Sequence, residues 1–261
     1  MTKEPPGDDH RRHGRVEVTL GNHRLHLMGD GAVFWPSRRT LLVADTHFGK
    51  ESTFRRAAIP VPSGATGGTL ATLDRLIERT GPRRLVFLGD LFHDRRSLSR
   101  STTDHMNRFF DRHESVSMTL VRGNHDTATG RLPSGWPIED VGPRWRIGSV
   151  ALEHYPADPP DGCDLLMCGH LHPAVRLRHG DDRLGKLACF WFRSGTLVLP
   201  AIGDFTGTAT ITPRDDDRVF LWVENKIIPH RWDVARDEGR RGGRMRPPTT
   251  GSAKSPRRLV R

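Results

Sequence analysis

Five short segments of this 261-residue chain carry side chains able to bind a hard or borderline metal ion. They are Asp45-Thr46-His47, Gly89-Asp90, Gly123-Asn124-His125-Asp126, His154 and Gly169-His170-Leu171-His172. The donors are carboxylates, imidazoles and one amide, with no thiolate. That set suits Mn²⁺, Fe or Zn²⁺ and argues against a soft-metal site. Two donors separated by one residue share a side of an extended segment. Asp45 and His47 are therefore expected to clasp one ion, and His170 and His172 to serve two adjacent ions. Glycines at 89, 123 and 169 permit tight turns that bring backbone and ligand close to the ions. The pattern predicts a two-metal centre.

Each segment follows a strand-like run, at 40–44, 85–88, 118–121, 150–153 and 165–168. Loops at strand ends are where open α/β sheets hold their sites. Runs at 16–20 and 24–27 flank Gly21-Asn22 and predict a hairpin. Leu70, Leu73, Leu76 and Ile77 recur at helical spacing, so 64–79 reads as a helix ending at Gly81-Pro82. A second helix is expected over about 101–113. After Gly130 only strands are predicted, with further runs at 144–147, 174–178, 184–192, 196–199 and 219–223. A βαβ-like first half and a β-rich second half predict an α/β fold, a layered sandwich of two facing β-sheets flanked by helices. Trp145, Trp191 and Trp222 lie in strand-like runs and read as core. Asp181-Asp182 and Asp215 to Asp217 read as solvated turn charges, and Cys168 as a buried residue.

The charge is unevenly placed. The chain has 41 Lys+Arg against 31 Asp+Glu, a net of +10. Eight of those cations and no acid lie in 239–261, so residues 1–238 carry only +2. The expected organisation is a disordered lead over 1–14, one domain over 15–230 and a basic, disordered tail over 231–261. A basic tail without apolar periodicity attracts polyanions or merely solubilises the chain. No apolar run approaches the ~20 residues of a spanning helix, which argues against a membrane protein. Three cysteines without paired spacing argue against a disulfide framework. The N-terminus lacks the apolar stretch of a signal peptide, so a cytoplasmic location is expected.

The five segments in this order resemble the calcineurin-like metallophosphoesterase family over about 40–205. Taken alone, His154 also fits a hydrogen-bonded core histidine; its place between the Gly-Asn-His-Asp and Gly-His-x-His segments makes it a ligand. The resemblance implies that Asp45, His47 and His172 hold one divalent metal. Asn124, His154 and His170 would hold the second, and Asp90 would bridge both. A metal-bridged hydroxide would attack phosphorus, and His125 would act as general acid or transition-state stabiliser. Asp126 could orient His125.

Three further stretches resemble the ligase-associated DNA damage response endonuclease branch of that family. They are the segment from Phe48 to Gly64, the continuation Leu91-Phe92-His93-Asp94, and Leu199 to Gly207. This resemblance implies a manganese-dependent endonuclease on single-stranded DNA, working beside a DNA ligase, a helicase and an exonuclease. A phosphodiesterase or phosphatase on nucleotides or other small phosphoesters is the alternative. Lys50, Arg55 and Arg56 lie within eleven residues of Asp45 and could hold substrate phosphates. Phe54 could stack on a base or pack its loop down.

Overall fold

The hairpin about Gly21-Asn22 forms from β1 (Arg15–Leu20) and β2 (His23–Met28), antiparallel, with Arg15 opposite Met28 and Leu20 opposite His23. A short β3 (Val33–Trp35) runs antiparallel between β2 and β4 (Thr40–Val43). From β4 onward the strands are parallel: β5 (Arg84–Leu88), β6 (Ser117–Val121) and β7 (Ile138–Asp140) complete a seven-stranded sheet in sequence order. β3 and β7 have three residues each, too few for an alternation to show in sequence. The computed structural model describes residues 14–56, 58, 64–179, 182–204 and 206–231. The expected N-terminal lead and the basic tail lie outside the described residues, apart from Gly14 and Arg231.

Four α-helices are described: α1 (Lys50–Arg56), α2 (Ala65–Thr80), α3 (Arg100–Arg112) and α4 (Asn124–Thr129). α2 buries Leu70, Leu73, Leu76 and Ile77. It stops at left-handed Gly81, whose N–H donates to the Ile77 carbonyl ahead of Pro82. α3 begins at Ser99, whose hydroxyl accepts the Thr102 N–H, and buries Met106, Phe109 and Phe110. These faces pack on Leu41, Val43, Leu85, Phe87, Met118 and Leu120. Strand alternation sends Leu42, Val86, Leu88 and Val121 the other way, into the core between the sheets. β4 and β5 are therefore apolar on both sides, as parallel central strands are. Each fully buried leucine there contributes on the order of 2 kcal/mol.

The second sheet begins with β8 (Arg144–Ile147), antiparallel to β9 (Val150–Glu153). β10 (Leu165–Cys168) lies parallel to β9, and β13 (Thr196–Val198) parallel to β10. β11 (Pro173–His179) pairs with the first half of β12 (Asp182–Arg193). The second half of β12 pairs with β13 and with β15 (Arg218–Val223). β14 (Ala209–Thr210) borders β11, and β16 (Lys226–His230) borders β15. Leu165 and Met167 face the inter-sheet core, while Leu166 and Cys168 face outward into a smaller cluster with Ala151 and Val198. The fold is the expected sandwich, with the described α-helices all between residues 50 and 129.

Trp145 and Trp222 pack on the inter-sheet core and Trp191 on the outer clusters, as expected. Two turn readings are corrected. Asp217 is buried, not solvated: Arg193 clamps its carboxylate through Nε and Nη2 at 2.8 and 2.7 Å, and Trp191 Nε1 donates to it as well. Asp182 opens β12 instead of lying in a turn. An isolated parallel bridge between Ala44 and Ala201 joins the two sheets at one end. That end is where the predicted ligands gather.

Candidate metal centre

All five segments sit just past the C-terminal ends of β4, β5, β6, β9 and β10. Their backbone is not extended, which corrects the i, i+2 argument. Asp45, His47, Asp90, His170 and His172 have φ of 55°, 45°, 51°, 71° and 47°. Each therefore occupies the left-handed region, which costs a non-glycine residue about 1–3 kcal/mol when surrounding structure enforces it. Hydrogen bonds across the site do the enforcing. Asp45 Oδ2 accepts the His170 N–H at 2.9 Å. The His47 N–H donates to the Asp90 carbonyl at 2.9 Å. Asp90 Oδ1 accepts the His125 N–H at 3.0 Å. Sharp turns, not strand alternation, aim the side chains.

The result is two adjacent clusters. Asp45, His47 and His172 bring one ligand atom each within 4.8 Å of one another, and Asp45, Asp90 and His154 do the same. Asn124 Oδ1 and His170 Nδ1 both lie 3.0 Å from His154 Nε2. All seven predicted ligands are thus brought together. Gly89 has φ 79°, and a Cβ there would lie 2.1 Å from His154 Nδ1. A Cβ at Gly123 would strike the Asp90 carboxylate, and one at Gly169 the Asp45 carboxylate.

The donor set fits divalent cations on chemical grounds. With Nδ1–H donating to the Leu88 carbonyl at 3.1 Å, His154 presents the Nε2 lone pair to the site. That lone pair faces Asn124 Oδ1 at 3.0 Å and Asp90 Oδ1 at 3.5 Å. Three acceptors converge, an arrangement that a cation relieves. His172 Nδ1–H likewise donates to the Gly207 carbonyl, and its Nε2 faces Asp45 Oδ1 at 3.4 Å. Asp45 Oδ1 and His47 Nδ1 are buried without a hydrogen-bond partner.

The electrostatics agree. Burial, then Lys50 and the neighbouring imidazoles, push the His47 pKa down to about 2, so this ring stays neutral and free to coordinate. Burial and His154 lower His170. Burial raises Asp90; the His125 N–H opposes this and nearby Asp45 adds to it. Burial works against protonated His172, but the facing Asp45 carboxylate outweighs it and its pKa is raised.

His125 sits beside the clusters. Its Nδ1–H donates to the His93 carbonyl, turning Nε2 toward Asp90 Oδ2 at 3.9 Å. The expected partner Asp126 does something else. It is buried and accepts the N–H groups of Leu91 and Gly123 at 2.9 Å each, tying β5 to the start of α4. His93 is the residue beside the clusters that the ligand pattern left out. Its ring stacks on His125 at 4.8 Å and it groups with His47 and His125. The one sequence signal was its place three residues after Asp90.

The stretch carrying the three candidate substrate cations is a helix, not a loop. α1 is fixed at its start by Glu51, which accepts the Thr66 N–H, and by Gly49, which donates to Thr66 Oγ1. Lys50 is half-buried beside the clusters. Burial lowers its pKa and Asp90 opposes that shift. Its Nζ lies 5.6 Å over the Phe54 ring, which packs edge-on against His93. Phe54 thus packs inward. Arg55 is exposed, and the Arg56 side chain lies outside the described residues. A cavity of about 260 Å³ adjoins His172, between Ala201, Asp204 and Trp222.

A model of the calcineurin-like phosphoesterase family matches residues 38–159. The crystal structure of the Pseudomonas putida nuclease MPE is 35% identical, with a TM-score of 0.72, covering 83% of this chain and 100% of that one. The chain belongs to the calcineurin-like phosphoesterase family. It is a metal-dependent hydrolase of the family's α/β sandwich fold. The phosphoesterase Yfce from E. coli matches more distantly, at 17% identity and TM-score 0.37, over 72% of this chain and 96% of its own. A protein from Aquifex aeolicus matches at 20% and 0.38, over 77% and 97%. No curated protein sequence matches. Among the described residues, no helix is long and apolar enough to cross a membrane.

Proposed function

We propose that this calcineurin-like phosphoesterase is a manganese-dependent endonuclease acting on single-stranded DNA. In this reading it works in bacterial cytoplasmic DNA repair, in functional association with a DNA ligase, a helicase and an exonuclease. Asp45, His47 and His172 hold one divalent ion; Asn124, His154 and His170 hold the second; Asp90 serves both. Two such ions supply an activated water and neutralise the phosphoryl oxygens. The remaining steps fall to the chain itself. The Leu88 and Gly207 carbonyls hold His154 and His172 in the tautomers that present Nε2. The His93 carbonyl does the same for His125, whose Nε2 is the atom that delivers a proton to the leaving oxygen. General acid catalysis of this kind is worth on the order of 10²–10⁴-fold. The Lys50 ammonium faces the non-bridging oxygens, and Arg55 and Arg56 hold flanking phosphates.

The observation that carries the metal assignment is the convergence of Asn124 Oδ1 and Asp90 Oδ1 within 3.5 Å of the His154 ring nitrogen Nε2. The nuclease reading is supported by the similarity to the P. putida nuclease over all of that chain. The test is incubation of purified protein with circular single-stranded DNA and Mn²⁺. Nicking by the wild type and none by Asp90→Ala is the expected result. Activity confined to mononucleotides or simple esters would instead establish a small-molecule phosphoesterase.

A further inference from the structure

Tyr155 is the chain's single tyrosine and directly follows His154. It is 49% exposed, and Ile228 is the one other large hydrophobic side chain so open among the described residues. Ile228 lies on β16, opposite Leu221 of β15. Tyr155 lies against the candidate ligands. Its ring centroid is 5.0 Å from that of His154 and 4.5 Å from that of His170, edge-on in both cases. A residue of this size normally hides most of its ring. This one is held at the rim of the centre with half its surface in water.

The other aromatic rings near the centre are engaged. Phe54 is half-buried between Lys50 and His93. Trp222 packs on the inter-sheet core, and its ring fills the space beside Gly31. Tyr155 is therefore the open ring on the His154–His170 side. A phosphodiester bound at the centre carries its neighbouring nucleosides outward past the ligand histidines on either side.

We infer that Tyr155 is a stacking platform for the nucleobase next to the scissile phosphate, on the His154–His170 side. The inference rests on the nuclease reading and deepens it. Stacking on a tyrosine needs an unpaired base with a free face, and any base supplies one. A duplex keeps its bases stacked on one another, so the platform favours single strands without choosing a sequence. Its place beside two ligand rings couples base binding to the position of the phosphate.

The test compares two single-stranded 12-mers with Mn²⁺, one of thymidylate and one of abasic deoxyribose phosphate. The readout is the ratio of kcat/KM values, which cancels any change in the metal centre common to both. Wild type is expected to prefer the base-bearing strand about tenfold. Tyr155→Phe should keep that preference. Tyr155→Ala should bring the ratio close to one, and Tyr155→Leu, which still covers the histidines, should do the same. A wild type indifferent to the bases, or a Tyr155→Ala or Tyr155→Leu variant that keeps the full preference, overturns the platform. A wild type that cuts neither strand yet hydrolyses a simple phosphodiester overturns the nuclease reading instead.

Discussion

The two sheets bring different chemistry to the same site. The first sheet supplies both carboxylates, Asp45 and Asp90, together with the Asn124 amide, His47 and His125. The second supplies imidazoles alone: His154, His170 and His172. Helices back the first sheet, whereas its partner has none among the described residues. Yet neither sheet orients all of its own residues at the site. Asp45, from the first, is held by the His170 N–H of the second. His154, from the second, is held by the Leu88 carbonyl of the first. The half with the carboxylates and the half with imidazoles alone each carry some of the other's orienting groups, so neither half is a site by itself.

The largest way to break this comparison is to remove the charge that both clusters share. Asp90→Ala should cut phosphodiester hydrolysis by roughly 10³-fold or more, with metal content falling in the same preparation. Removing His125 tests the proton donor without touching a ligand. His125→Ala should lower kcat on DNA by about 10²–10⁴-fold while metal content stays as in wild type. A loss of metal in that variant would move His125 into the ligand set.

Gly89→Ala strikes the seam between the halves. The added methyl meets the His154 ring, and alanine is strained at φ 79°. A destabilisation of about 2–4 kcal/mol is expected, read as a lower Tm. Gly135→Ala, at φ 91° with open space around it, should cost only about 1–2 kcal/mol. Equal losses would show that the close approach of the sheets is not tight. Truncation after Glu238 tests the tail. It should weaken DNA binding and lessen its salt dependence, with hydrolysis of a small diester unchanged. An unaltered salt slope would show that the tail contributes no phosphate contacts.

The smallest effect lies at the opposite end of the sandwich. Asp164, just before β10, accepts from the His23 ring at 2.8 Å and from the Asn22 N–H in the β1–β2 turn. The His23 hydrogen bond is the main reason its carboxyl is held down to about 2. A depressed carboxyl pKa adds stability above its unfolded value near 4 and loses it as pH falls through 2. Because the pair is partly exposed, Asp164→Asn should cost less than about 1 kcal/mol near neutral pH, and the difference should vanish in acid denaturation near pH 2.

The gathering of the candidate ligands was legible because each donor follows an apolar run whose strand character the sequence shows plainly. Their aiming was not. Left-handed turns at Asp45 and His172 are enforced by partners more than 30 residues away, and no local pattern encodes them. α1 and α4 span seven and six residues, under two turns, too short for a hydrophobic period. Asp217 reads as a turn acid until Arg193, 24 positions earlier, is folded beside it. His93 offers no strand-end signature, since it belongs to a loop whose course is set by His125 and Phe54. Half of the basic excess, conspicuous in the composition, falls outside the described residues.

The left-handed turns at five of the seven candidate ligands bear on how such a chain would age. Those backbone angles favour glycine over any residue with a Cβ, so chemistry and not the backbone recommends a histidine there. Released from selection for catalysis, these positions would drift first, because the nearest replacements relieve strain as they erase function. In a family tree, a lineage with Gly or Asn at position 47 or 172 on an otherwise intact sandwich would mark a member that has given up hydrolysis and gained stability in exchange.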